Sequence, residues 1–334
     1  MILKKITYVF FSNLINFNLF FLKKFSNKNY IYSDTISFGE TFVFYIHNYH
    51  KINNDNNKKV LVFSKFEENI AKLFFTKKKI KRIFFLLPFF IPVYGVSVLM
   101  QKKKYFTPSI SLLINYKKRK ILNQHKIILI KLLKKNINVI SPELKKIQNE
   151  KFILMFVKHH KNKRKIIDGS YARHTQDFKK IHKLINFFLK KKIKIIIFGN
   201  EYDESLSILK DKHGNNKHNV LFFKDISFKQ SIYDQLFVHY YSLLSIGSDS
   251  GAFIMSQYLK KRILYFDTFE IKNQFYQKYK KTKTLYKKII YDGKIKNLSL
   301  TNLNKIPKMH NKYSITENSF SEIINELRKI KYKF

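Results

Sequence analysis

The chain contains no cysteine and no tryptophan, and only 8 glycines and 5 prolines in 334 residues. Without cysteine there is no disulfide framework, no thiolate metal site and no cysteine nucleophile. A disulfide-stapled secreted mini-protein and a zinc finger are therefore excluded, while the redox compartment stays open. Arginine is also sparse, confined to Arg82, Arg119, Arg164, Arg173, Arg262 and Arg328. Acidic residues are few as well: 22 Asp and Glu face 66 Lys and Arg, for a formal charge of +44.

What the chain does have is apolar mass. Hydrophobic residues make up 45% and aromatics 16% of it, too much for a disordered chain despite the charge. At roughly 100–200 residues per domain, the length suggests two domains. The charge invites a nucleic-acid reading, since neutralising phosphates drives such binding. Lysine weakens that reading, because base readers and phosphate forks favour the planar guanidinium of arginine. Abundant Lys, Ile, Asn and Phe together reflect A/T-rich codons, which place lysine wherever a surface tolerates charge. Attraction to an anionic membrane surface ranks second and nucleic acid third.

Residues 6–22 (ITYVFFSNLINFNLFFL) lie between Lys4-Lys5 and Lys23-Lys24. The stretch is short for a bilayer span, is interrupted by Asn13, Asn16 and Asn18, and lacks a small-residue cleavage site. It reads as an interfacial helix or as an ordinary amphipathic helix packed on the protein. The apolar run 84–100 contains Pro88 and Pro92 and reads as buried core. No transmembrane span is expected, and the chain is expected in the cytoplasm, with peripheral contact at the inner face of the membrane.

Strand and helix signals alternate along the rest. Strands are expected over 30–33, 59–64, 82–87, 137–140, 152–158, 193–198, 220–223, 243–246 and 262–266. Helices are expected up to about residue 50, then over 66–75, 125–135, 177–191, 229–241, 251–259 and 319–330. Short, unalternating apolar strands between amphipathic helices indicate parallel sheets covered on both faces. The expected class is α/β, with two Rossmann-like domains. They follow an amphipathic segment (1–24), cover 25–150 and 151–318, meet near the polar stretch 141–151, and precede a C-terminal helix (319–334). The Lys- and Tyr-rich stretch 267–313 shows little pattern and is expected to wrap the surface or cross between domains.

Ligands of open parallel sheets bind outside the carboxyl ends of the strands. That rule gathers Lys158 and His159 after one strand, Gly199 and Asn200 after the next, and Gly247-Ser248-Asp249-Ser250-Gly251 after a later one. With glycine so scarce, Gly39, Gly199, Gly247 and Gly251, all at expected loops, mark places where the backbone needs a positive φ or a close approach. The GSDSG turn followed by AFIMSQYL presents free N–H groups at a helix N-terminus, which suits a phosphate. Ser248 and Ser250 add hydroxyl donors, whereas Asp249 suits a cap or a sugar hydroxyl. A capped helix after a tight turn is the plain alternative.

The turn matches neither the Walker A pattern nor GxGxxG, and Ser250 lacks the glycine two residues earlier that a hydrolase elbow has. Arg173, in SYARHTQDF, can clamp a diphosphate or pair with Asp177 as a cap. His159 and His160 are acid/base candidates or solvated loop residues. Glu201, Asp203 and Glu204 read as a helix start, and no His/Asp/Glu spacing suggests a metal site. In SDTISFGETF, Asp34, Gly39 and Glu40 occupy the loop after the first strand. There Glu40 is a candidate base toward an acceptor, or a plain helix N-terminal acid.

Over about 150–268, and more faintly over 34–64, the chain resembles a family of bacterial glycosyltransferases of GT-B type that act in surface-polysaccharide synthesis. The resemblance rests on a strand ending in a basic residue (MFVK, Lys158), a loop arginine before a helix (Arg173 in YARHTQDF), a strand ending in glycine (IIIFG, Gly199) and the GSDSG turn. The family tends to have His-Val-Arg at Phe156-Val157-Lys158 and a basic residue at Ile197. The resemblance implies a nucleotide-sugar donor at these positions, with its pyrophosphate at 248–251. It implies a glycan or lipid-linked acceptor in the first domain and no metal or other cofactor. Two rivals stand beside it: a non-catalytic binding protein for RNA or anionic lipid, and an inactive homologue.

Overall fold

The computed structural model describes residues 30–32, 38–62, 65–82, 123–157, 178–199, 204–227, 231–248, 251, 253–268, 281–291, 293–299 and 313–330. The N-terminal segment 1–24, Asp34, the run 84–100, and the loop residues Lys158, His159, Arg173, Asn200, Asp249 and Ser250 lie outside them. The chain divides into two compact units, Met1–Lys120 and Ile121–Phe334.

The first unit runs β1 (Tyr30–Tyr32), α1 (Phe38–Asn53), β2 (Lys59–Val62), α2 (Lys65–Phe74) and β3 (Ile80–Arg82). Its strands form a parallel sheet in the order β1-β2-β3. Aromatic packing joins the two helices. Phe42 meets Phe74 at 5.2 Å between ring centroids, and Tyr45 meets Phe75 at 5.6 Å. Lys79 donates to the carbonyls of Ile52 and Asp55, satisfying acceptors left open where α1 ends. Gly39 and Glu40 lie in the first turn of α1 rather than in a loop. Helix α1 begins early enough to absorb them.

The second unit opens with α3 (Asn123–Lys135), a 3-10 turn (Ile137–Val139) and α4 (Pro142–Lys146). The strand expected over 137–140 is this 3-10 turn, because Asn136 and Asn138 favour local turns over a ladder. There follow β4 (Phe152–Phe156), α5 (Phe178–Lys190), β5 (Lys194–Phe198), α6 (Glu204–His213), β6 (Val220–Phe222), α7 (Phe223–Ile226), α8 (Ile232–Tyr241), β7 (Leu244–Gly247), α9 (Phe253–Tyr258) and β8 (Arg262–Thr268). The unit ends with β9 (Thr282–Tyr286), β10 (Lys288–Tyr291), β11 (Lys294–Asn297), β12 (Tyr313–Thr316) and α10 (Phe320–Lys329). Helix α3 packs against α8 and α9, so the division of the chain falls ahead of the stretch 141–151.

Six strands form one parallel sheet in the order β6-β5-β4-β7-β8-β9. Renumbered within the unit, that order is 3-2-1-4-5-6, the doubly wound Rossmann arrangement. The α/β class with parallel sheets is therefore present as expected. Alternate residues of each strand face opposite layers. Ile153, Met155, Ile195, Ile197, Ile246 and Leu264 pack on α5 and on Ile323 and Leu327 of α10. Phe156 and Tyr265, on the other face, meet α9 through Phe253 at 4.3 and 4.6 Å. With both faces covered, the strands need no polar positions.

The stretch 267–313 departs from expectation. It supplies β9, the sixth strand, and then β10 and β11, which with β12 form a separate antiparallel sheet in the order β11-β10-β12. Gly293, at φ 67°, stands just before β11. Among the described residues, no helix is long and apolar enough to cross a membrane.

Candidate functional site

In a sheet of order 3-2-1-4-5-6 the crossovers leave the central strand in opposite directions, and a crevice opens at that switch point. Here the switch lies between β4 and β7, which pair in register from Leu154↔Ser245 to Phe156↔Gly247. Residues placed just beyond Phe156 and Gly247 therefore flank the crevice. The switch point lies beside two of the segments that the sequence singles out, after Val157 and from Gly247 onward.

Gly247 answers a physical demand. Its φ is 149°, and a Cβ built on it would stand 2.2 Å from the carbonyl oxygen of Phe156. No side chain fits there, so the two strand ends approach closely only because the residue is glycine. Ser248 follows, fully buried, and its Oγ has no hydrogen-bond partner among the described residues. A buried hydroxyl left unpaired costs about 1–3 kcal/mol, which a ligand acceptor at the crevice would recover. Gly251 is exposed, and α9 begins only at Phe253 and has 6 residues. The helix expected to supply a dipole is thus short.

Beneath the turn lies an aromatic and histidine layer. Phe156 stacks on Phe198 at 4.8 Å, and Phe198 on Phe223 at 4.3 Å. His239 of α8 stacks on Phe156 at 5.8 Å. His239 Nδ1 lies 2.6 Å from Ser256 Oγ, which lies 2.6 Å from Ser245 Oγ. Burial, reinforced by the charge of Lys261, pushes the His239 imidazole down to about 3, so the ring is neutral. Its Nε2 has no partner among the described residues. Gly199, exposed, follows Phe198 at the end of β5.

A second polar group closes the carboxyl end of β8. Asp267 is fully buried and holds φ 53°, a left-handed conformation that Asp tolerates better than most residues. Its backbone N–H donates to Asn318 Oδ1 at 2.7 Å, and the Asn318 N–H returns a bond to Asp267 Oδ1 at 2.7 Å. Lys180, in the first turn of α5, pairs with Asp267 and with Glu317 at 2.7 Å, and donates to the Asn318 carbonyl at 3.0 Å. Lys287 lies 3.4 Å from the other Glu317 oxygen. Burial raises the Asp267 carboxyl to about 6, against the downward pull of Lys180. This network anchors the beginning of α5, the helix that follows the segment carrying Arg173.

Of the residues singled out from the sequence, Gly247 and Ser248 flank the switch point, Gly251 follows them, and Gly199 directly follows β5. Gly39 and Glu40 belong to the first unit. Sequence reasoning missed His239, Asp267 and Lys180. A lysine in a helix's first turn opposes the dipole, and that misfit was the one signal available. Among the described residues, no group of three His, Asp or Glu is placed to hold a metal ion. A depression of about 220 Å³ lined by Glu150, Lys151, Lys194 and Asn219 lies at the opposite, amino edge of the sheet.

No protein-family model and no curated protein sequence matches the chain. Among solved structures, the chain is similar to the UDP-GlcNAc 2-epimerase of Methanocaldococcus jannaschii in complex with UDP-GlcNAc and UDP. The identity is 13% over 89% of this chain and 82% of that chain, with a TM-score of 0.36.

Proposed function

We propose that the chain is a glycosyltransferase that moves a sugar from a nucleotide-sugar donor to a glycan or lipid-linked acceptor without a metal. One observation carries this reading: at the switch point of the second sheet, a strand end that only glycine can make sets a buried Ser248 hydroxyl, unpartnered among the described residues, beside the crevice. A turn built of Gly and Ser suits a diphosphate through its N–H groups and hydroxyls. In this reading Ser248 and Ser250 donate to the donor's phosphate oxygens, Asp249 accepts from a sugar hydroxyl, and Gly199, Asn200 and His159 line the donor. As the bond from the anomeric carbon to phosphate breaks, Arg173 and Lys158 neutralise the charge left on the nucleoside diphosphate. Glu40 takes the proton from the acceptor hydroxyl that forms the new bond.

A thermal-shift screen against UDP-, GDP-, ADP- and CMP-sugars tests the reading. One nucleotide class should raise the melting temperature saturably, since binding to the native state at a hundred times Kd adds about 2.7 kcal/mol. Ser248→Ala should weaken that binding by roughly tenfold, the worth of one hydrogen bond to a charged group. Arg173→Ala should lower turnover far more than stability. If none of the four classes shifts the melting temperature of the wild type, the reading fails.

A further inference from the structure

We propose that the exposed face of α3 docks the protein on an anionic lipid bilayer, with Lys131, Lys134 and Lys135 on the headgroups and Ile127 and Val139 in the interface. The starting point is compositional. No Asp or Glu occurs anywhere between Glu68 and Glu143, and α3 lies inside that stretch. The helix buries His125, Ile128, Leu129, Leu132 and Leu133 against its own unit. It turns Ile127, Lys131, Lys134 and Lys135 outward, at the spacing of a single helix face.

Three observations point to an anionic, partly apolar partner. Ile127 is 51% exposed and Val139, just past the helix, 59%. They bracket the three lysines instead of joining the core. None of Lys126, Lys131, Lys134 and Lys135 has a carboxylate within ion-pair reach among the described residues. Beside the helix, Lys261 is half-buried with its ammonium 5.7 Å over the Tyr240 ring, and it too lacks a carboxylate. Burial and the charges of Lys126 and Lys281 push Lys261 down to about 8. These lysines thus form a cationic field that no carboxylate among the described residues neutralises, and an anionic surface would relieve it.

Lipid fits this face better than nucleic acid. The face carries lysine and no arginine, and no aromatic ring on which a base could stack. It carries instead the branched aliphatic Ile127, with exposed Val139 in the 3-10 turn that follows the helix, and such side chains gain by leaving water for the acyl boundary. The outer face of α5 is a useful contrast: Lys183, Lys190 and Lys191 are exposed there, but no large aliphatic side chain is.

The test is co-sedimentation of the full chain with phosphatidylcholine vesicles made with and without phosphatidylglycerol. Wild type should bind only the anionic vesicles. Lys131→Glu/Lys134→Glu/Lys135→Glu should lower partitioning on the order of a hundredfold, since each lysine near such a surface contributes about fivefold. Lys183→Glu/Lys190→Glu/Lys191→Glu, with the same net charge, should lower it only a few-fold. Ile127→Asn should weaken binding at high salt, where the charge contribution is screened. Equal losses in the two triple variants would mean that bulk charge binds the vesicles, and would overturn the proposal. So would wild type that ignores phosphatidylglycerol, or a Lys131/134/135 variant that loses poly(U) binding but keeps vesicle binding. Ser248→Ala should leave vesicle binding untouched, which separates this face from the donor site.

Discussion

His239 is neutral because its ring is fully buried and its imidazole is pushed down to about 3, whereas the unfolded chain protonates it near 6.5. Between those values the unfolded state binds more protons, so this residue's contribution to stability is lost as the pH falls through that window. From pH 7 to pH 5 the loss is about 2 kcal/mol, and His239→Gln should remove that part of the slope in urea denaturation. Asp267 acts in the opposite sense. Its folded value of about 6 lies above the ordinary 3.8, so stability falls as the pH rises between them and stays lowered above 6. Lys180→Met removes the cation that opposes the upward shift of Asp267, so at pH 7 the buried carboxyl must take up a proton or stand charged beside Glu317, and the change should cost about 3 kcal/mol there. At pH 5, where Asp267 keeps its proton, the cost should be smaller. An equal loss at both pH values would show that the alkyl stem of Lys180 matters and its charge does not.

Asp234 shows how elements are tied together. Fully buried in the first turn of α8, it accepts from the Ser141 N–H at 2.9 Å, from the Ser141 hydroxyl at 2.5 Å and from the Ser227 hydroxyl at 2.7 Å. The link fixes the start of α4 against the start of α8. Asp234→Ala should destabilise the protein by about 3 kcal/mol, because it removes the buried acceptor that three donors share; a loss below about 1 kcal/mol in urea denaturation would mean that water replaces the carboxylate. Such ties are invisible in a single sequence, since Asp234 and Ser141 stand far apart in it. The core strands were legible for the opposite reason: FILMF and KIIIF are apolar without alternation, which only a strand buried on both faces requires. Strands β9 to β12 were not legible, because exposed residues such as Lys283, Tyr291, Lys294 and Lys296 dilute the apolar signal. At the candidate site, scarcity made Gly247 readable, and the serine beside it came with the turn. His239 was hidden, since an imidazole in the last turn of an amphipathic helix looks like any surface histidine.

At the scale of the whole molecule the governing quantity is the charge of +44, which no internal arrangement can neutralise with 22 acidic residues. Several of those acids are already committed to pairs, as Glu68 is with Lys72 and Arg82, and Glu322 with Lys288. The remaining lysines repel one another across distances comparable to the Debye length of about 10 Å at 0.1 M salt. Compaction brings them closer than the unfolded chain does, so self-repulsion weighs against the folded state. Added salt screens that repulsion, and it also weakens the exposed ion pairs, but those contribute less than about 1 kcal/mol each. The repulsive part therefore dominates. Raising sodium chloride from about 20 to about 500 mM should lift the melting temperature by about 1.5 °C, the shift that roughly 1 kcal/mol gives a chain of this size. Sodium sulfate at equal ionic strength should lift it further, because sulfate also strengthens apolar burial. A melting temperature that falls with sodium chloride would mean that the exposed pairs outweigh the repulsion, and that the lysine-rich surface is balanced by local partners instead of left open to anionic ones.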